Sequence, residues 1–207
     1  MLKRNFFFKN YNLNTNKFNK NFRKTKRAFL NLKFDIQNYK IPFLQSFKKD
    51  YFLDFSALTI KNFSKYNNII IIGMGGSVLG AKSIYNFFKN RIKKEVFFFD
   101  NLDENLYLEF KKLKKLKSSC FIIISKSGET IESVTNLNIL LSNFSLKSRI
   151  VFITEIKNSS MTSIANKLNA EIIEHKDFIG GRYSVLSEVG MFPAALMGLD
   201  IEKFKNL

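Results

Sequence analysis

Cysteine is all but missing from this chain. Cys120 stands alone, so no disulfide can form within the molecule, and cysteine usage points to a reducing, cytoplasmic setting. Long apolar runs are missing as well. The longest uncharged, apolar-leaning stretch, residues 69–81, spans 13 residues and holds four glycines. That falls short of the roughly 18 apolar residues a membrane span requires. No secretory h-region follows Lys3 and Arg4, because Lys9 and Asn10 break the Phe6-Phe7-Phe8 run at once. A membrane partner is therefore not expected. Acidic residues are scarce near the start, where residues 1–50 carry 13 Lys and Arg against 2 Asp; the whole chain of 207 residues carries +17. A basic surface can attract polyanions. Yet Lys, Asn, Ile and Phe are all abundant and all have A/T-rich codons, and no helix-turn-helix, zinc or RNP-type pattern accompanies the charge. Nucleic acid is accordingly not the expected partner. There is no internal repeat and no linker rich in Pro, Gly or Ser.

What is present is an alternation. Residues 1–49 read as a basic extension, rich in Asn, Lys and Phe, helical or partly disordered, without strong periodicity or caps. From residue 50 to 207, strand-like and helix-like segments take turns. Apolar runs at 69–72, 96–99, 121–124 and 150–153 predict strands, with a weaker one at 171–173. Between them Val78, Ala81, Ile84, Tyr85 and Phe88 form one helical stripe, and Ile131, Val134, Leu137, Leu141 and Phe144 form another. Helices are also expected over 102–116 and 161–168, and Phe52, Phe55 and Leu58 are spaced for a short one within 50–63. Unbroken apolar strands separated by helices predict an α/β fold, a doubly wound parallel sheet flanked by helices. Ligands of such folds bind beyond the carboxyl ends of the strands.

Two loops fall at those ends. Gly73-Met74-Gly75-Gly76-Ser77 follows the first strand. Its glycines let the backbone turn and approach a ligand, and Ser77 at the helix start can serve as ligand or as cap. It is not Gly-x-Gly-x-x-Gly, since Val78 stands at the third glycine position and only Asp100 comes near the end of the second strand, so dinucleotide binding ranks low. Ser125-Lys126-Ser127-Gly128-Glu129-Thr130 offers three hydroxyls in six residues ahead of a helix, which suits a phosphate dianion. Lys126 adds charge or is simply solvated, and Glu129 and Glu132 read as stabilising the first turn of their own helix. Gly180-Gly181-Arg182-Tyr183-Ser184 supplies a cation. The three together argue for a phosphosugar site. A ligand-free N-cap for the second loop, and an ion pair from Arg182 to Asp177 or Glu188, are the structural alternatives.

Ser-x-Ser-Gly-Glu-Thr after a buried strand resembles the phosphosugar loop of sugar isomerase (SIS) domains. Gly-Met-Gly-Gly-Ser-Val-Leu-Gly and the run at 180–190 resemble, in order and spacing, the sugar-phosphate loop and signature segment of the glucose-6-phosphate isomerase family. The resemblance implies an SIS-type, flavodoxin-like fold. It also implies interconversion of D-glucose 6-phosphate and D-fructose 6-phosphate through an enediol(ate), a step of glycolysis and gluconeogenesis, without a cofactor or metal. By position it implies that Gly76 and Ser77 contact the sugar. Ser125, Ser127 and Thr130, with the Lys126 amide, would hold the 6-phosphate. Arg182 would stabilise the enediolate, a role suited to a permanently charged guanidinium. A homodimer is implied for the full-length enzyme.

The family's glutamate base in a Glu-Ser-Asn context, its ring-opening histidine and its late lysine find no match before Leu207. The reading is therefore the amino-terminal SIS part of such an isomerase, incomplete and inactive alone. His175, the one histidine, reads as a satisfied or solvent-facing side chain rather than an acid or base. Where Glu129 stands, the isomerase family commonly has threonine, and other SIS proteins have glutamate. The competing reading is a non-catalytic SIS module that binds a phosphosugar and regulates a partner.

Overall fold

The computed structural model of the chain describes residues 15–38, 40–48, 50–105, 108, 118–143 and 149–205. The chain divides into two compact units, residues 1–44 and 45–207. Among the described residues of the first lies one long helix, α1 (Thr15–Gln37). Its sequence does carry a helical period that the reading of residues 1–49 as lacking strong periodicity overlooks. Phe18, Phe22, Thr25, Phe29, Leu32 and Ile36 recur at alternating steps of four and three. Lys17, Lys20, Arg23, Lys24, Lys26, Arg27 and Lys33 occupy the remaining faces, so asparagine and lysine mask the stripe in a composition count.

The second unit is built on five parallel strands: β1 (Asn68–Gly73), β2 (Glu95–Phe99), β3 (Ser119–Ile124), β4 (Ile150–Thr154) and β5 (Glu171–Glu174). Their order is β2-β1-β3-β4-β5. The chain runs outward from β1 to β2, then crosses back to β3 on the other side of β1. This places a topological switch point between β1 and β3. All six residues of β1 and all six of β3 are buried, because central parallel strands are covered on both faces.

Alternation along the strands divides the core in two. Ile69, Ile71, Ile122, Ile124 and Ile153 face a layer containing Val78 and Ala81 of α3 (Gly76–Phe88), Phe63 of α2 (Ala57–Ser64), and Val189 and Phe192 of the helix Glu188–Leu196. Ile70, Ile72, Phe121, Ile123 and Phe152 face Leu137 and Leu140 of α4 (Ile131–Asn143), and Met161 and Ala165 of α5 (Ser160–Lys167). Each fully buried isoleucine contributes about 1.5–3 kcal/mol of apolar transfer. The helix Glu188–Leu196 is α6, and a short α7 (Glu202–Lys205) follows it.

Strand positions agree with the apolar runs to within two residues at each end. The helix expected within 50–63 is shorter than its spacing suggested, beginning at Ala57 because the Ser56 hydroxyl accepts from the Thr59 amide and caps it. Phe52 consequently lies outside the helix and is exposed, while Phe55 packs edge-on against Phe192. The helix expected over 102–116 lies mostly outside the described residues, as does Phe144 at the end of its stripe. Among the described residues no helix is long and apolar enough to cross a membrane.

Candidate functional site

The switch point positions the site. Gly73 pairs with Ile124 at the last rung between β1 and β3, so the two loops predicted from sequence leave the sheet side by side. The helices behind them, α3 and α4, start at this edge and turn their positive ends toward the space beyond the strands. Hydroxyls, amides and helix dipoles therefore converge where doubly wound sheets bind ligands.

The first loop is shaped by contact with the third motif. A Cβ on Gly76 would stand 2.3 Å from the Gly181 carbonyl carbon and 2.7 Å from the Arg182 nitrogen. Only a glycine allows the backbones to meet this closely. Gly76, Leu79, Gly80, Gly181, Arg182 and Val185 line a cavity of about 120 Å³. Ser77 is the second residue of α3 and does not cap it; the N-cap is Gly75, and no side chain bonds the helix start. Its hydroxyl has no hydrogen-bond partner among the described residues, so the capping alternative for Ser77 is not what the structure forms.

The second loop holds its own hydroxyls in place. Ser125 is buried, and its Oγ lies 2.9 Å from Thr130 Oγ1 and accepts from the Gly128 amide at 3.2 Å. Ser127 Oγ is exposed and accepts from the Glu129 amide at 3.2 Å. Gly128 has φ +72, and a Cβ there would meet Ser159 Oγ at 2.2 Å, so both backbone and packing demand glycine. The α5 start closes over this turn, with the Met161 amide donating to the Gly128 carbonyl. Glu129 does not serve its own helix. Its carboxylate accepts from the Ser160 hydroxyl and amide, each at 2.6 Å, and so supports the start of α5, whose N-cap is Ser159. Those donors hold its carboxyl below the usual range.

Lys126 is partly exposed, but its ammonium is engaged by the protein. Its Nζ donates to the Asp177 carbonyl at 2.5 Å and sits 3.6 Å from Glu155 Oε1. Sequence reasoning missed this brace, because its three members lie in separate crossover loops and share no local pattern.

Arg182 forms neither of the ion pairs weighed for it. Glu188 is fully buried and accepts from the Tyr51 hydroxyl at 2.9 and 3.1 Å and from the Asp54 amide at 3.1 Å. Burial pushes the Glu188 carboxyl up. The Arg182 side chain is exposed, with no hydrogen bond or ion pair among the described residues. It is thus a cation at the cavity mouth, available to an anion. For His175 the structure decides against the solvent-facing alternative. It is buried rather than solvent-facing, its Nδ1 lies 3.2 Å from the Lys176 carbonyl, and its Nε2 has no partner among the described residues. Burial pushes its pKa down. No group of three or more His, Cys, Asp or Glu among the described residues is arranged to hold a metal ion.

Comparison with known proteins identifies the family. The family model described as phosphoglucose isomerase matches residues 52–207. The chain belongs to the phosphoglucose isomerase family. It is 32% identical over 180 residues to the glucose-6-phosphate isomerase of Methanocaldococcus jannaschii, a match covering 85% of this chain and 43% of that protein. The Campylobacter jejuni glucose-6-phosphate isomerase is 33% identical over 153 residues, covering 70% of this chain and 37% of its own length. The chain thus spans less than half the length of these curated relatives. The crystal structure of a glucose-6-phosphate isomerase from Chlamydia trachomatis superposes with a TM-score of 0.61 at 27% identity, over 72% of this chain and 30% of that one. A hypothetical protein from Thermus thermophilus shares the fold, with a TM-score of 0.66 at 21% identity over 83% of this chain and 40% of that one.

Proposed function

We propose that residues 50–207 form the phosphosugar-binding part of a glucose-6-phosphate isomerase. The observation that carries this reading is the adjacency at the β1/β3 switch point, where Gly73 pairs with Ile124 and Gly76 abuts Gly181. Adjacent turns of that kind can serve one ligand whose phosphate and sugar ends are a few bonds apart.

In this reading the Ser125, Ser127 and Thr130 hydroxyls and the Lys126 amide hold the 6-phosphate, helped by the α4 dipole. Gly76 and Ser77 meet the sugar. Arg182 stabilises the oxyanion of the enediolate formed when a proton leaves C2, and being permanently charged it does so without giving up a proton. A phosphate anchor remote from the reacting carbons lets binding energy position the substrate for proton transfer.

Titration of the chain with D-glucose 6-phosphate and D-fructose 6-phosphate, followed by turnover assays on a protein extended by the complementary half of a relative, tests the proposal. The proposal expects weak binding of both sugars by the chain and interconversion only by the extended protein. No binding of either sugar phosphate, or binding indifferent to the phosphate, contradicts it.

A further inference from the structure

We propose that the Lys126 ammonium is a positioning group for the segment that carries Arg182, and not a phosphate ligand. This rests on the phosphosugar reading above for its consequence in binding, though not for its geometry. Lys126 lies in the middle of the second loop, where a lysine would ordinarily be assigned to the phosphate. Its Nζ instead reaches the loop after β5 and donates to the Asp177 carbonyl at 2.5 Å. Glu155, in the loop after β4, stands 3.6 Å from the same nitrogen, and Lys157 pairs with the other oxygen of that carboxylate. The ammonium is therefore already donating, and Glu155, which it shares with Lys157, holds it on the side of the loop after β5.

The backbone of Lys126 is fixed from the same side. Its carbonyl accepts from the Glu155 amide at 3.1 Å, and the Thr154 hydroxyl lies 3.5 Å from it. The loop of hydroxyls and the loop after β4 are thus joined at the backbone as well as through the ammonium. From Asp177 the chain runs through buried Ile179 to Gly180, Gly181 and Arg182, and Gly181 is the residue seated against Gly76. Lys126 thus links the loop of hydroxyls to the segment bearing the guanidinium, and sets the distance between the two ends of the site. A charge-assisted hydrogen bond of this kind is stronger than a neutral one.

Hydrogen exchange on the whole chain without ligand tests the brace directly. The Ile179 and Tyr183 amides donate to the Lys176 and Gly180 carbonyls and report local opening of the segment. Lys126→Met should speed their exchange about tenfold relative to amides of β1, the effect of losing one charged donor, and Lys126→Arg should restore protection. Glu155→Gln should move the same amides in the same direction by about threefold, which covers the case in which Lys126→Met folds poorly. Unchanged exchange in both variants overturns the brace.

Binding then separates positioning from direct ligation. Lys126→Met should weaken D-glucose 6-phosphate about tenfold more than inorganic phosphate, because inorganic phosphate does not need the Arg182 end of the site. Equal weakening of both ligands would make the ammonium a phosphate ligand and overturn the proposal. If the native chain takes neither ligand, the phosphosugar reading fails while the exchange measurement still decides the brace.

Discussion

Gly76 and Gly181 touch backbone to backbone: a Cβ on Gly76 would lie 2.5 Å from the Gly181 carbonyl oxygen. This contact joins the first loop to the Arg182 segment. Gly76→Ala should therefore force the two apart, costing about 1–3 kcal/mol in stability as overpacking does. Urea unfolding of the variant measures it, and sugar-phosphate affinity should fall in parallel. A variant as stable as the native chain, with affinity unchanged, would show that the contact is not needed.

In the proposed function the Ser125–Thr130 hydroxyl pair, 2.9 Å apart, anchors a non-reacting group. Ser125→Ala and Thr130→Ala should each weaken phosphate binding by about 1 kcal/mol, roughly fivefold, as single hydrogen bonds do. In an extended, active protein the change should appear in KM with kcat nearly constant. A fall in kcat with KM unmoved would place these hydroxyls at the reacting end instead.

Arg182 is assigned to charge that develops during reaction. Arg182→Ala in the extended protein should lower kcat by about a hundredfold or more, the scale for losing an oxyanion stabiliser, with a smaller change in KM. Steady-state kinetics with D-fructose 6-phosphate checks this. A loss confined to KM would make Arg182 a binding group only.

His175 makes the fold sensitive to acid. Burial is the main cause of its lowered pKa, with the nearby Lys126 charge adding to it. The unfolded chain, whose imidazole titrates near the ordinary 6.5, thus binds the proton more readily than the folded one. Its contribution is fully present above that value and is lost as pH falls through it toward the folded value. Thermal melts from pH 7.5 to 5 should show this loss, and His175→Gln should flatten it over that range.

Glu188 acts in the opposite sense. Its carboxyl is raised by burial above the ordinary 4.5, so its contribution is greatest below that value and is lost as pH rises through the folded one. Glu188→Gln keeps an acceptor for the Asp54 amide and removes the buried charge. The variant should be at least as stable as the native chain at pH 7, whereas Tyr51→Phe, which removes a donor from the carboxylate, should cost about 1–2 kcal/mol. Paired urea titrations distinguish the two.

The sheet was legible because its strands are runs such as Ile69-Ile70-Ile71-Ile72, which only a strand covered on both faces would need. Both hydroxyl loops were legible for a related reason, glycine and serine clustered directly after buried strands, whereas the Gly-Gly-Arg segment, six residues past β5, stood out by its glycine pair and cation. The α1 stripe was present in the spacing of Phe18 to Ile36 and was hidden only by attention to composition. What the sequence could not show were contacts made by folding itself. Nothing near Glu129 says that it binds the first residue of a helix beginning at Ser160, and nothing near Lys126 points to Asp177. Gly76 is visibly a flexible residue, but that Gly181 lies against it follows only from the return of the chain, after β5 at the sheet edge, to the start of α3.

Amide chemical shifts of the isotope-labelled chain during titration with D-glucose 6-phosphate test the shared site most directly. A single saturating response at Gly76, Ser77, residues 125–130 and Arg182, with one dissociation constant and competition by inorganic phosphate, is the predicted result. Shifts confined to another face of the sheet, or separate dissociation constants for the two loops, would contradict it.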